Sequence, residues 1–123
     1  MELRVTNLER DSVLGERVQV AETWWSRLRG LLGHSPLKRS EGLLIRPCRA
    51  VHMLGMRYPI DVAFLDPEGR MLAAYAELAP CRLSRYHRQA AAALELPAGT
   101  LAASGTLVGD RLEFVSLDAG QKP

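Results

Sequence analysis

The sequence has little cysteine, few aromatic residues and no long apolar run, and each shortage excludes a class of protein. Of its 123 residues two are cysteines, and 6% are aromatic. No segment approaches the ~18 consecutive apolar residues of a membrane-spanning helix, and no charged segment followed by an apolar run opens the chain. We therefore expect a cytoplasmic protein with reduced thiols, no disulfide framework and no membrane partner.

Neither sign of charge is in excess. The chain has 16 lysines and arginines against 14 acidic residues, which gives a formal net charge of +2. This balance does not indicate a polyanionic partner. With 47% apolar residues and no repeat, linker or low-complexity segment, residues 1–123 are expected to form a single domain around one core.

The first third of the chain predicts a hairpin followed by one short helix. Apolar and charged residues alternate around Leu3 and again around Val18, and turn-forming residues separate the two runs. A helical spacing then begins at Trp24, with Thr23 as the expected N-cap. Trp24 lies on the apolar stripe of this helix, so we expect it to anchor the helix in the core and Trp25 to stay partly exposed.

A second hairpin is predicted around residues 60–78. Ile60, Val62 and Phe64 should face one side of a strand, while Asp61 faces the other among apolar neighbours. The run from Asp66 to Gly69 has the residues that a type I turn prefers, so Met71 to Leu78 should return as the partner strand. Local propensity leaves Ser84 to Ala93 open between helix and strand.

Five blocks of the sequence resemble, in order and spacing, the domain-of-unknown-function 192 family. They are Arg29-Gly30-Leu31-Leu32-Gly33, Glu41-Gly42-Leu43-Leu44, Met56-x-x-Pro59-Ile60-Asp61-Val62-x-Phe64-x-Asp66-x-x-Gly69, Leu94-Glu95-Leu96-Pro97-Ala98-Gly99 and Gly109-Asp110. The resemblance implies a mainly β fold, a small β-sandwich or distorted barrel with one short α-helix packed on it, and it places Glu95 on a strand. It implies no activity, because the family is uncharacterised. Many members carry tryptophan where this chain has Gly55, and many are exported.

Asp61 is the most informative candidate for a site. A carboxylate between Ile60 and Val62 needs an arginine or backbone donors if it is buried. Arg57 or Arg49 could pair with it. The residue is either a structural aspartate that holds the bend at Pro59 or a contact to a ligand, and the sequence leaves both interpretations open.

The candidate ligand-binding residues surround this aspartate in the sequence, with one more on a later strand. They are His52, Met56, Arg57, Asp61 and Glu95. His52 shares a strand face with Met56 and is interpreted as a core or rim histidine. Glu95 could equally be the solvent-facing residue of an edge strand.

Metal, cofactor and nucleophile signals are weak. Residues four apart on a strand, such as Cys48 and His52, lie about 13 Å apart, which is too far for one zinc ion or one catalytic pair. Cys81 with His52, or Cys48 with His87, remain long-range options. The late glycines are not followed by the Gly-Lys-Ser/Thr of a phosphate loop. We therefore expect no metal and no cofactor.

Three hypotheses for function follow. The first is a non-enzymatic binding or accessory domain for a small polar molecule. The second is an enzyme that uses His52 and Asp61 in acid/base chemistry, since histidine titrates near neutrality. The third is an RNA- or phosphate-binding module that uses the loop from Arg82 to Arg88, where Tyr86 could stack on bases. A solvated loop is the simpler interpretation, so nucleic-acid binding is disfavoured.

Overall fold

The computed structural model describes residues 1–117 and shows a mainly β protein, as predicted. Its seven strands form one sheet in the order β5-β4-β6-β3-β2-β1-β7. The strands are β1 Glu2–Asn7, β2 Ser12–Ala21, β3 Glu41–Ile45, β4 Ile60–Leu65, β5 Met71–Leu78, β6 Ala92–Pro97 and β7 Leu112–Ser116, and the helices are α1 Trp24–Arg29 and α2 Thr100–Ser104.

Both predicted hairpins are present. Strands β1 and β2 pair antiparallel, and so do β4 and β5. The second hairpin turns at Asp66, whose carbonyl accepts the Gly69 N–H at 3.0 Å and whose side chain accepts the Glu68 N–H at 2.9 Å. The segment from Ser84 to Ala93, which local propensity left open between helix and strand, is not helical. Residues 84–91 form an irregular loop, and residues 92–97 form β6, which pairs with β4 on one side.

The sheet curls into a half-barrel whose two edges meet at one end. The Leu112 N–H donates to the Gly69 carbonyl at 2.9 Å, and the Met71 N–H donates to the Asp110 carbonyl at 2.9 Å. These bonds join the beginning of β5 to the beginning of β7. The expected distorted barrel is therefore confirmed in the form of a curled half-barrel.

Apolar side chains cover both faces of the central strands. On β4, Ala63 and Leu65 belong to the core cluster of the inner face, whereas Val62 and Phe64 belong to a second cluster on the outer face. This alternation is the one predicted for β4. The outer face is covered by two irregular segments, residues 46–58 and 79–91, which contribute Val51 and other buried side chains.

Helix α1 begins as predicted, but the expectation that Trp24 anchors it in the core is wrong. The Thr23 and Ser26 side chains cap its first turn reciprocally. The helix ends at Arg29, because Gly30 has a φ of 52° and leaves the helical conformation. Leu31 therefore lies beyond the helix, and it is the residue of this region that packs into the outer-face core. Trp24 is 72% exposed. Trp25 is 65% exposed, as expected.

A second helix that the sequence did not predict lies between β6 and β7. Helix α2 is five residues long and buries Leu101 in the inner-face core. Its N-cap residue is Gly99, which offers no side-chain acceptor to the first turn. The free backbone donors of this turn must therefore find an acceptor elsewhere in the fold.

Candidate functional site

A strap formed by α1 and the turn after it, residues 24–36, crosses the outer face of the sheet. Within the strap only Leu31 is buried, and no residue of α1 is. Arg27 ties the strap to segment 46–58, since its Nε donates to the Pro47 carbonyl at 3.0 Å. Leu32 lies directly above Gly55, where an added Cβ would stand 2.7 Å from the leucine Cδ1. In this chain the Leu32 side chain of the strap therefore occupies the space that a larger side chain at position 55 would need.

Glu95 lies beneath the strap on the outer face of β6. Its strand neighbours are Leu43 on β3 and Val62 on β4, both apolar. The side chain is 5% exposed, so it is not the solvent-facing residue of an edge strand. A Cβ on Gly30 would stand 3.8 Å from Glu95 Oε1, which places the end of α1 over the carboxyl group.

Three carboxylates are buried among residues 1–117, and their surroundings differ. Asp61 accepts two backbone N–H groups, and Asp110 accepts from Asn7, Arg10 and the Leu107 N–H. Glu95 Oε1 has no hydrogen-bond partner among the described residues. Since a buried carboxylate without a donor loses its hydration and gains nothing in exchange, Glu95 is the exception that requires an explanation.

The missing partners change the acid–base behaviour of Glu95. Burial raises the pKa of this carboxyl from 4.5 to about 7. At neutral pH the group is therefore divided between its protonated and ionised forms. By contrast, the hydrogen bonds from Arg10 and Asn7 lower the pKa of Asp110 to about 2.

A narrow recess of about 50 Å³ leads to Glu95. Leu28, Leu31, Ile45, Cys48, Met53 and Met56 form its apolar walls, and the polar side chains of Arg27, Arg29 and His52 also line it. Burial raises the pKa of the Cys48 thiol, which also donates to the Ala50 carbonyl at 3.2 Å. The recess therefore presents one buried carboxyl group behind a lining that mixes apolar side chains with Arg27 and Arg29, next to a thiol held in its protonated form.

A wider hollow of about 260 Å³ adjoins the recess on the side of α1. Trp24, Arg27, Arg49 and His52 line it together with residues 47–48. Arg49 is oriented by its Nε, which donates to the Arg88 carbonyl at 3.1 Å. Within the described part of the chain, neither Arg27 nor Arg49 forms an ion pair with a carboxylate. The hollow therefore carries positive charge that no acidic side chain neutralises.

Comparison with known proteins places the chain in a family. The sequence profile of the domain-of-unknown-function 192 family (DUF192), described as an uncharacterised ACR, matches residues 5–114. The chain belongs to the DUF192 family. No curated protein matches the sequence of this DUF192 chain.

Two solved structures share the fold of this DUF192 chain. A protein of unknown function from Novosphingobium aromaticivorans DSM 12444 is 23% identical, with a TM-score of 0.78 over 92% of this chain and 84% of its own. A proposed transcription regulator from Sinorhizobium meliloti 1021 is 24% identical, with a TM-score of 0.77 over 92% of each chain. At this identity the similarity shows the fold alone.

The five predicted ligand-binding residues of the DUF192 chain do not form one cluster. His52 and Met56 line the same recess as Glu95. Arg57 is exposed and borders a different hollow, of about 630 Å³, on the other side of the strap. Asp61 is buried on a strand and hydrogen-bonded to backbone. The structure therefore gathers three of the five around the recess.

Asp61 connects three elements of the fold. Its Oδ1 accepts the Glu77 N–H, and its Oδ2 accepts the Leu101 N–H, both at 2.8 Å. Glu77 has a φ of 52° where the pairing of β4 and β5 shifts register, and Leu101 lies in the first turn of α2. The expected arginine partners, Arg57 and Arg49, do not contact it. Asp61 instead stabilises a strand irregularity and supplies the acceptor that Gly99 cannot give α2.

Cys48 and His52 line the same recess, because residues 46–58 are irregular and do not form the strand on which their expected separation was based. Among residues 1–117, no group of three or more His, Cys, Asp or Glu side chains could hold a metal ion. His87 is engaged with Tyr75, whose hydroxyl lies 2.8 Å from its Nε2 and also accepts the Arg85 N–H at 3.0 Å. Burial lowers the pKa of His87. A pairing of Cys48 with His87 is thus not seen.

No helix in the described range is long and apolar enough to cross a membrane.

The basic loop between Arg82 and Arg88 is attached to segment 46–58 through its backbone. The Met53 N–H donates to the Arg82 carbonyl at 2.8 Å, and the Ser84 N–H donates to the Val51 carbonyl at 2.9 Å. Tyr86 and the arginine side chains are exposed. The loop is therefore fixed in place without the use of its charged groups.

Replacing Arg82, Arg85 and Arg88 together by serine is expected to change the free energy of unfolding by less than about 1 kcal/mol, since exposed charges contribute little. Urea denaturation of the triple variant measures this. The single variant Arg10→Ser is the matched control and is expected to cost more than the triple variant, because Arg10 donates to the buried Asp110. A larger loss for the triple variant than for this control would show that the loop arginines are paired inside the fold.

Proposed function

We propose that this protein is a non-enzymatic binding protein for a small polar ligand, which enters the recess beneath the strap and donates a hydrogen bond to Glu95. The observation that carries the proposal is the buried Oε1 atom of Glu95, which has no donor among the described residues. A buried carboxyl is costly to the fold, and a ligand that supplies a donor recovers the lost interaction.

The walls of the site support a slim ligand. The recess of about 50 Å³ accepts a head group of a few atoms, and its aliphatic walls suit methylene groups. A larger ligand requires the strap to move. The strap is suited to such movement, because Leu31 is its one buried side chain, whereas Trp24 and Leu28 are 72% and 53% exposed.

Acid/base chemistry by His52 and Asp61 has less support. Both oxygen atoms of Asp61 accept backbone N–H groups, and neither is bonded to His52. His52 is exposed on the outer-face segment 46–58. General acid–base catalysis requires groups within hydrogen-bond reach of the same substrate atoms. The proposal therefore assigns binding, and not a reaction, to the recess.

A metabolite screen by thermal shift tests the proposal when wild type and Glu95→Gln are run in parallel. Ligands with an amine, amide or hydroxyl donor are expected to raise the melting temperature of the wild type and to have a much smaller effect on the variant. The proposal would be contradicted if the donor-bearing ligands stabilise both proteins equally, or if no donor-bearing compound in the screen stabilises the wild type. The control Arg57→Gln, at the separate hollow, is expected to respond like the wild type.

A further inference from the structure

The recess of Glu95 and the hollow beside α1 form one continuous groove. Six residues line both: Arg27, Leu28, Ile45, Cys48, Ala50 and His52. The Cys48 thiol is near enough to both charged groups for Glu95 to raise its pKa and for Arg27 to lower it. A molecule that occupies the recess therefore extends naturally into the hollow.

The two ends of this groove carry opposite chemistry. The inner end has the Glu95 carboxyl, which accepts hydrogen bonds and attracts positive charge. The guanidinium groups are those of Arg49, which lines only the hollow, and Arg27, which lines both the hollow and the recess. Each uses its Nε on a backbone carbonyl, which leaves its terminal Nη groups available to an anion. A purely anionic ligand is repelled at the inner end, and a purely cationic ligand is repelled at the outer end.

Between these ends the groove is narrow, and four of the six residues that line its shared part are apolar or small, namely Leu28, Ile45, Cys48 and Ala50. Leu28 and Ile45 line the shared part, and Trp24 forms a wall of the hollow. Such walls favour methylene groups and exclude branched polar ones. The head group that fits the end of a narrow channel and donates to a carboxyl is a primary ammonium, which has three donors on one small nitrogen atom.

We propose that the ligand is a linear amphoteric molecule, with a primary ammonium group that binds Glu95 and, at the far end of a short alkyl chain, a carboxylate or phosphate that binds Arg27 and Arg49. This inference rests on the proposed function and specifies the ligand class for the same site. It assigns specificity to Arg27, which the sequence analysis did not name, and to Arg49, which it named only as a possible partner of Asp61.

The probes that test this class are straight-chain ω-amino carboxylates from glycine to 6-aminohexanoate, with 3-aminopropyl phosphate to compare the two anions. Pentylamine and pentanoate are the monofunctional controls. Calorimetric titration of the full chain is expected to show one chain length that binds best, about tenfold or more tighter than either control, since each end adds a charge-assisted hydrogen bond.

Substitutions separate the two ends of the ligand. Glu95→Gln is expected to weaken the best amino carboxylate about tenfold or more and to leave pentanoate unaffected, while Arg27→Gln with Arg49→Gln should reduce the amino carboxylate to the affinity of pentylamine. Arg82→Gln, on the basic loop, is the matched control and should change neither. Binding of phosphate but not carboxylate would identify the anion without altering the proposal.

Two results overturn the inference in distinguishable ways. If pentylamine binds as tightly as every amino carboxylate, and the arginine substitutions have no effect, the ligand class is wrong while the proposed function stands. If no amine binds but an amide or hydroxyl donor still stabilises the wild type and not Glu95→Gln in the thermal-shift screen, only the ligand class is wrong; if no donor-bearing ligand binds at all, both fail. The ammonium group binds the ionised form of Glu95, whose pKa is about 7. The affinity of the amino carboxylate should therefore rise from about pH 5 to pH 8 in the wild type and should not rise in Glu95→Gln.

Discussion

Replacing Asp61 by alanine is expected to lower the free energy of unfolding by about 2–4 kcal/mol. The substitution leaves the Glu77 and Leu101 N–H groups without an acceptor inside the fold; the buried Leu101 donor costs about 1–3 kcal/mol, and the part-buried Glu77 donor costs less. Both the irregular end of β5 and the first turn of α2 lose their stabilising contact. Denaturant melts of the purified variant measure the loss.

His52→Ala is the matched control, because His52 is exposed and the alanine variant keeps its backbone bridge to Leu83. Its effect should stay within about 0.5–1 kcal/mol. Asp61→Asn separates charge from shape and should fall between wild type and Asp61→Ala, since the amide retains one acceptor oxygen and presents its NH₂ to the other donor. An Asp61→Ala variant within about 0.5 kcal/mol of wild type would refute the structural role.

Replacing Glu95 by leucine is expected to have the opposite sign and to stabilise the ligand-free protein by about 3 kcal/mol above pH 7. The carboxyl pKa rises from 4.5 to about 7 on folding, and each unit corresponds to about 1.4 kcal/mol. An apolar residue between Leu43 and Val62 removes this cost. Urea melts of both proteins at about pH 8 measure the gain.

The pH dependence provides an independent measure. Between about pH 4.5 and pH 7 the folded carboxyl holds a proton that the unfolded one has released, so wild-type stability falls as the pH rises through this range and levels above it. Below about pH 4.5 both states are protonated and the penalty vanishes. The difference between wild type and Glu95→Leu should follow this curve. A difference that is constant from pH 4.5 to pH 8 would mean that Glu95 is ionised and paired in the fold.

The two variants together distinguish structure from function among the buried carboxylates. Asp61 has its donors within the chain, so its removal harms the fold. Glu95 has none, so its removal should help the fold and harm binding. A stabilising substitution at a residue that is needed for a ligand is the usual sign of a site that is maintained at the expense of stability.

The strands and turns of this protein could be predicted because their signals are local. The alternation of Ile60, Val62 and Phe64 sets the two faces of β4, and the turn residues around Asp66 set the register of its hairpin. Thr23 determined the beginning of α1 through its hydrogen bonds to Ser26. The five family blocks placed β6, where local propensity alone left helix and strand open.

The sequence by itself therefore determined the class of the fold and its two hairpins, and it marked Asp61 as a carboxylate that needs donors if it is buried. Only the tertiary structure decided that Trp24 is exposed, because the outer face was already covered by residues from segment 46–58 such as Met53. It also decided that Asp61 binds the Leu101 N–H, forty positions along the chain, and that Arg27 and Glu95 share a groove. Hydrophobic alternation and turn preference act between near neighbours, whereas the partner of a buried polar group depends on which distant segments the sheet brings together.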